Sequence, residues 1–140
     1  MNLTENQKGY IAGIIDGEGS ICLTKQRSNE FRSPTVSVPS TTYEMLEYLK
    51  DNVGGCISTK KTYAEHHKPC WVWAIKTNLA IELLTEVKEY LLVPEKKYRA
   101  DLIVNEYKSV TPRNGRYNEE KLKAKLDFEK RFFEFESKKD

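Results

Sequence analysis

The chain reads as an α+β fold of αββαββα order, with a four-stranded antiparallel sheet, helices on one face and further helices at the C-terminal end. Three observations predict this. Apolar spacing switches from helical to alternating and back twice, in the same order. Each switch is punctuated by a capping residue, glycine or proline. No linker or low-complexity tract divides the 140 residues, so residues 1–140 are expected to form a single domain.

The elements follow in order. Thr4-Glu5-Asn6-Gln7 is a capping box that starts a helix carrying Tyr10, Ile11, Ile14 and Ile15. Asp16-Gly17-Glu18-Gly19 should stop it. Ser20 to Lys25 alternates around Ile21 and Leu23 and reads as a strand. Arg27 to Ser33 reads as a loop, and Thr35-Val36-Ser37-Val38 as the antiparallel partner. Thr41 or Thr42 caps a helix with Met45, Leu46 and Leu49 inward, ended by Gly54-Gly55. The order repeats with a strand from Ile57 to Tyr63, a turn at His66 to Pro69 and a strand from Trp71 to Ile75. A helix with Leu79, Leu83, Leu84 and Val87 inward follows. Pro94 opens another helix, with Leu102, Ile103 and Tyr107 inward. After the break at Pro112-Arg113-Asn114-Gly115, a helix from Asn118 is expected to bury Leu122, Leu126, Phe132, Phe133 and Phe135.

Composition narrows the function classes. A chain that is 39% hydrophobic and 11% aromatic can build a core. No apolar run approaches the ~18 residues of a membrane span, and no signal sequence opens the chain, so a soluble, intracellular protein is expected. Cys22, Cys56 and Cys70 are odd in number and widely spaced, which argues for a reducing compartment. His66, His67 and Cys70 fall short of a four-ligand zinc site and read as a hairpin tip. Net charge is only +2, although bases outnumber acids eight to five between Thr24 and Lys76. Charge alone supports nucleic-acid binding weakly.

The informative stretch is Tyr10 to Ile21. Gly9, Ala12 and Gly13 place small residues on one side of an apolar helix. Each interior glycine costs roughly 1 kcal/mol relative to alanine, and the usual compensation is close approach of another backbone. Asp16 and Glu18 then stand at the negative end of the helix macrodipole, where carboxylates are unfavourable unless a cation binds. A hard ion such as Mg²⁺, held by carboxylate and backbone oxygen, suits that position. One chain carries one such set, so a symmetric site needs a two-fold partner. The same tetrapeptide also reads as a plain solvated turn.

Ile11-Ala12-Gly13-Ile14-Ile15-Asp16-Gly17-Glu18-Gly19 resembles the LAGLIDADG signature position for position, and the ββαββα order after it resembles that homing endonuclease family across nearly the whole chain. The resemblance implies a single-motif, homodimeric enzyme that makes a metal-dependent double-strand cut at a long pseudo-palindromic DNA target, for intron or intein homing. It implies that Glu18 is catalytic and binds metal, with the Gly17 carbonyl as a further oxygen ligand. Gly9, Ala12, Gly13 and Asp16 would line the dimer interface. The segment Val93 to Ala100 is similar to the one in which the family carries an active-site lysine, and spacing favours Lys96 over Lys97. Where relatives carry a Gln or Asn after the second strand, this chain has Ser40. That departure keeps open a nucleic-acid-binding protein without nuclease activity, an RNA maturase or a DNA-binding regulator.

Recognition of double-stranded DNA would fall to the sheet. With Ile21, Leu23, Val36, Val38 and Ile57 inward, Ser20, Cys22, Thr24, Gln26, Thr35, Ser37, Ser58 and Lys60 turn outward. Arg32 is expected to meet phosphate, and Trp71 and Trp73, which share a face, are expected to join the DNA surface.

Overall fold

The computed structural model describes residues 1–60 and 68–135. Its elements are α1 (Glu5–Glu18), β1 (Ser20–Thr24), β2 (Ser33–Ser40), α2 (Tyr43–Val53), β3 (Cys56–Lys60), β4 (Cys70–Lys76), α3 (Thr77–Val87), α4 (Pro94–Glu106) and α5 (Glu119–Phe133). The strands form one antiparallel sheet in the order β1-β2-β4-β3. Lys61 to Tyr63 and the His66–His67 part of the expected turn lie outside the described residues. No helix of the described residues is long and apolar enough to cross a membrane.

Register explains the two faces of the sheet. Ile21 pairs with Val36, Val36 with Ile75, and Val38 with Trp73, which in turn pairs with Ile57. These side chains point to the helical layer and join Ile11, Ile15, Leu46, Leu49, Leu83 and Leu84 in the core. The alternate residues face the other way and stay polar or small. The tight turn from α2 into β3 requires glycine. Gly54 and Gly55 have φ of 107° and 94°, and a Cβ at Gly55 would stand 2.6 Å from the Ala74 carbonyl oxygen.

Both halves of the Thr4–Gln7 capping box are formed. Pro94 sits in the first turn of α4, as expected, and Leu102, Ile103 and Tyr107 are buried. The last helix differs from expectation. Leu122, Leu126 and Phe133 are 40%, 52% and 46% exposed, and the buried positions are Lys125, Phe128, Glu129 and Phe132. That set has the i, i+3, i+4, i+7 spacing of a core stripe. Two ionisable side chains belong to it because each meets a partner on another segment. Glu129 accepts the Arg32 backbone N–H at 3.2 Å, and Lys125 Nζ donates to Thr111 Oγ1 at 2.7 Å.

Candidate functional site

The acidic tetrapeptide does not stop the first helix ahead of itself. α1 continues through Glu18 and ends at Gly19, whose N–H donates to the Ile15 carbonyl at 3.0 Å. Gly19 is buried where α1 passes into β1. A Cβ there would lie 2.9 Å from Ile15 Cα and 3.2 Å from the Ser37 carbonyl oxygen. No larger residue lets the chain turn from helix into β1 at this place.

The last turn of α1 holds no basic residue of its own. Its cation comes from α4, where Lys96 Nζ donates to the carbonyls of Ile15 and Asp16 at 2.7 Å each. The ammonium gives the Asp16 carbonyl a donor, adds a second donor to the Ile15 carbonyl beside the Gly19 N–H, and opposes the negative end of the macrodipole. Asp16 locks the same junction from the other side. Its two carboxylate oxygens accept the N–H groups of Leu92 (2.8 Å) and Val93 (3.2 Å). The end of α1 and the start of α4, far apart in sequence, are thus cross-tied by two side chains.

Asp16, expected at the dimer interface, is half-buried and has both its oxygens engaged within its own chain. Ala12, also expected there, lies in the protomer's own core. It is 0% exposed and packs with Ile11 and Ile15, one 100° step around the helix from the exposed Gly13. The exposed small face is instead Gly9, Gly13 and Gly17, spaced by four. A Cβ at Gly13 or Gly17 would meet nothing within 4 Å, and at Gly9 only a Tyr90 ring carbon at 4.0 Å. The protomer itself does not require these glycines.

Glu18 is exposed at the end of that face and has no side-chain hydrogen bond or ion pair among the described residues. Its carboxylate and the nearby terminal carbonyl of Gly17 are hard oxygen donors of the kind Mg²⁺ accepts. No group of three or more His, Cys, Asp or Glu gathers among the described residues. The donors fit a divalent-cation site in kind, and one chain supplies too few of them.

The polar face of the sheet starts directly beyond Glu18. Ser20, Cys22 and Thr24 of β1 lie opposite Ser37, Thr35 and Ser33, and Ser58 and Lys60 of β3 lie opposite Val72 and Cys70. Thr24 and Thr35 share a hydrogen bond of 2.6 Å between their hydroxyls. Lys76, opposite Thr35, donates to Gln26 Oε1 at 3.1 Å. Lys76 was not among the expected contact residues. The alternation Trp73, Ile75 inward places it outward and is the signal that finds it.

Three expected DNA contacts lie elsewhere. Trp73 is 0% exposed and donates its indole N–H to the Gly54 carbonyl at 2.8 Å, so it is a core residue. Trp71 shares its face and stands edge-on to Tyr43 at 5.3 Å, against the start of α2. The two tryptophans do share a face, but it is the helical one. Arg32 turns to α5, 3.7 Å from the Glu129 carboxylate and 5.5 Å from the Phe133 ring centre. Ser40 is also occupied locally, its Oγ accepting the Thr42 N–H at 2.9 Å.

No family model and no curated protein matches the sequence. Solved structures do. The homing endonuclease I-CvuI in complex with its target in the presence of Ca superposes with a TM-score of 0.68 at 15% identity, over 91% of this chain and 80% of that one. The archaeal intron-encoded homing endonuclease I-Vdi141I complexed with DNA gives 0.61 at 20% identity, over 96% and 86%. The LAGLIDADG homing endonuclease I-GzeII in complex with its DNA target gives 0.60 at 16% identity, over 87% of this chain and 43% of its own. The chain therefore has the fold of LAGLIDADG homing endonucleases.

Proposed function

We propose that the chain is a site-specific DNA endonuclease of the homing type, acting as a homodimer with Mg²⁺ to cut both strands of a long pseudo-palindromic target. The observation that carries this reading is Glu18. It is an exposed carboxylate, unpaired among the described residues, between a glycine-faced helix and a polar sheet face. A second copy packed along Gly9, Gly13 and Gly17 would bring a second Glu18 to the same point, completing a donor set that one chain leaves short. A divalent cation bound there would supply concentrated positive charge to the scissile phosphate and the leaving oxygen. Glu18 and the Gly17 carbonyl would hold it. Lys96, tied to the end of α1, would set the position of that helix end and present its remaining N–H toward the phosphate.

The polar face carries the recognition half of the reading. Hydroxyls and an amide from Ser20, Thr24, Gln26, Thr35, Ser37 and Ser58 suit base edges, while Lys60 and Lys76 suit phosphates. The test is cleavage of a cognate duplex, found by selection from a randomised library. Glu18→Gln keeps the shape and removes the charge, so scission in Mg²⁺ should fall about a thousandfold, or about 4 kcal/mol. Affinity measured in Ca²⁺ should hold. Cleavage at the wild-type rate would leave α1 as an interface only. For the dimer, Gly13→Leu should shift sedimentation to monomer, because a branched side chain fills the open glycine face. A wild type that is monomeric with and without DNA would defeat the two-fold reading.

A second reading, a nucleic-acid-binding protein without nuclease chemistry, is favoured by Ser40. Its hydroxyl caps the backbone before α2 and has no lone side-chain amide to offer the site. Tight DNA binding without scission in any divalent metal would establish it.

A further inference from the structure

The middle of α5 carries a cation with no counter-ion among the described residues. Lys125 is 1% exposed although neighbouring α5 residues Lys121, Lys123 and Leu126 stand in solvent. Its ammonium lies 4.2 Å from the Tyr107 ring centre and 5.9 Å from those of Phe31 and Phe128. Its one hydrogen bond goes to Thr111 Oγ1 at 2.7 Å, which leaves two N–H donors of the three. Among the described residues no carboxylate comes within ion-pair distance. Glu129, one turn along, is engaged with the backbone N–H and guanidinium of Arg32. Aromatic faces offset part of the cost of desolvating a cation, but an unpaired buried charge stays expensive. Burial accordingly pushes the Lys125 ammonium down to about 8, against a smaller opposing pull from Glu129.

A cleft of about 570 Å³ meets this amine, lined also by Gln26, Ser33, Thr77, Thr111 and Tyr117. The hydroxyls of Ser33, Thr77 and Tyr117 and the amide of Gln26 are groups able to donate to an anion, whereas the Thr111 hydroxyl already donates to the Tyr107 carbonyl at 2.7 Å. The one carboxylate on the lining, Glu30, stands 4.0 Å from the Arg27 guanidinium. The cleft is continuous with the polar sheet face. Ser33 pairs with Thr24 at the end of β1, and Gln26 holds Lys76.

We propose that this cleft is an oxyanion site that takes one phosphate, with Lys125 as its buried counter-charge. A phosphate supplies the missing negative charge and accepts from the two unused N–H groups and the surrounding hydroxyls. Its source is either the backbone of a duplex lying on the polar face and running past the end of β1, or free phosphate. The duplex source rests on the DNA-binding reading given above, and the free-phosphate source does not.

Calorimetric titration of the full chain with inorganic phosphate at pH 7, against chloride as control, tests the site. Wild type should bind, and Lys125→Met should weaken binding at least tenfold while Lys125→Arg retains it. Ser33→Glu, which puts negative charge at the mouth without touching the buried amine, should also weaken it at least tenfold. That variant decides the matter if Lys125→Met does not fold. Equal phosphate binding by wild type and both charge-altering variants, or none by wild type, overturns the site.

The second arm uses duplex DNA. If the backbone is the source, Lys125→Met lowers the slope of log affinity against log salt by about 0.9 per copy on a long target and leaves it unchanged on one trimmed at its flanks. An unchanged slope on the long target, with phosphate binding still dependent on Lys125, overturns the duplex source and leaves free phosphate. Failure of wild type to bind any duplex would count against the endonuclease reading alone.

Discussion

Lys96 and Lys125 sit on successive C-terminal helices and meet opposite surroundings. Lys96 puts its ammonium on two carbonyls at the end of α1, where the helix already presents negative charge. Lys125 puts the same group among three aromatic rings with one hydroxyl for company. The first cation finishes a junction that the backbone left unsatisfied. The second finds no counter-ion among the described residues. An identical side chain therefore acts as a fastener where acceptors converge and as a receptor where they are missing.

Removing the fastener should have the largest effect. Lys96→Met takes its donor from the Asp16 carbonyl, leaves the Ile15 carbonyl with the Gly19 N–H alone and withdraws positive charge from the end of α1, so single-turnover cleavage should fall roughly a hundredfold. Cleavage within twofold of wild type would mean the lysine only caps the helix. Next comes the companion tie. Asp16→Ala strips acceptors from the Leu92 and Val93 N–H groups and should cost about 1–3 kcal/mol in urea unfolding, whereas Asp16→Asn keeps one acceptor and costs less. No change in stability would show that water replaces the carboxylate.

The Lys125 effect comes last because it appears only with pH. Its folded value near 8 lies below the ordinary 10.5, so between those limits the unfolded chain holds a proton that the native chain has released. Stability should rise with pH across that window, at most about 1.4 kcal/mol per pH unit, and the gain should be lost as pH falls through about 8. Tyr107, Tyr117 and Glu129 also face this region, and the two tyrosines are themselves raised by burial. The informative quantity is therefore wild type minus Lys125→Met. A flat difference across the window would place the ammonium in water.

Much of the fold was legible because it is written in periods. Alternation around Ile21, Leu23, Val36 and Val38 assigned both sheet faces correctly, and the capping box at Thr4 and Pro94 marked helix starts. Short-range chemistry singled out Glu18, which the structure leaves exposed at the end of α1. What the sequence hid was phase and partnership. In α5 the apolar Leu122, Leu126 and Phe133 suggested an inward stripe, while the helix is turned to bury Lys125 and Glu129. Only the distant Thr111 and Arg32 explain that rotation. Trp73 looked like a surface aromatic until cross-strand register set it between Val38 and Ile57. The ties of Asp16 to Leu92 and Lys96 to Ile15 join residues separated by 76 and 81 positions, beyond any local pattern.

Gly19 has a bearing on how this chain can change over generations. Every single-base change in a glycine codon that alters the residue either ends the chain or introduces a side chain with a Cβ. At Gly19 that atom would collide with the α1 backbone and the Ser37 carbonyl, whereas at Gly13 or Gly17 the protomer has open space around it. Drift at Gly13 and Gly17 is therefore policed only by whatever docks on them. Drift at Gly19 is halted by the chain's own fold, one mutational step in any direction.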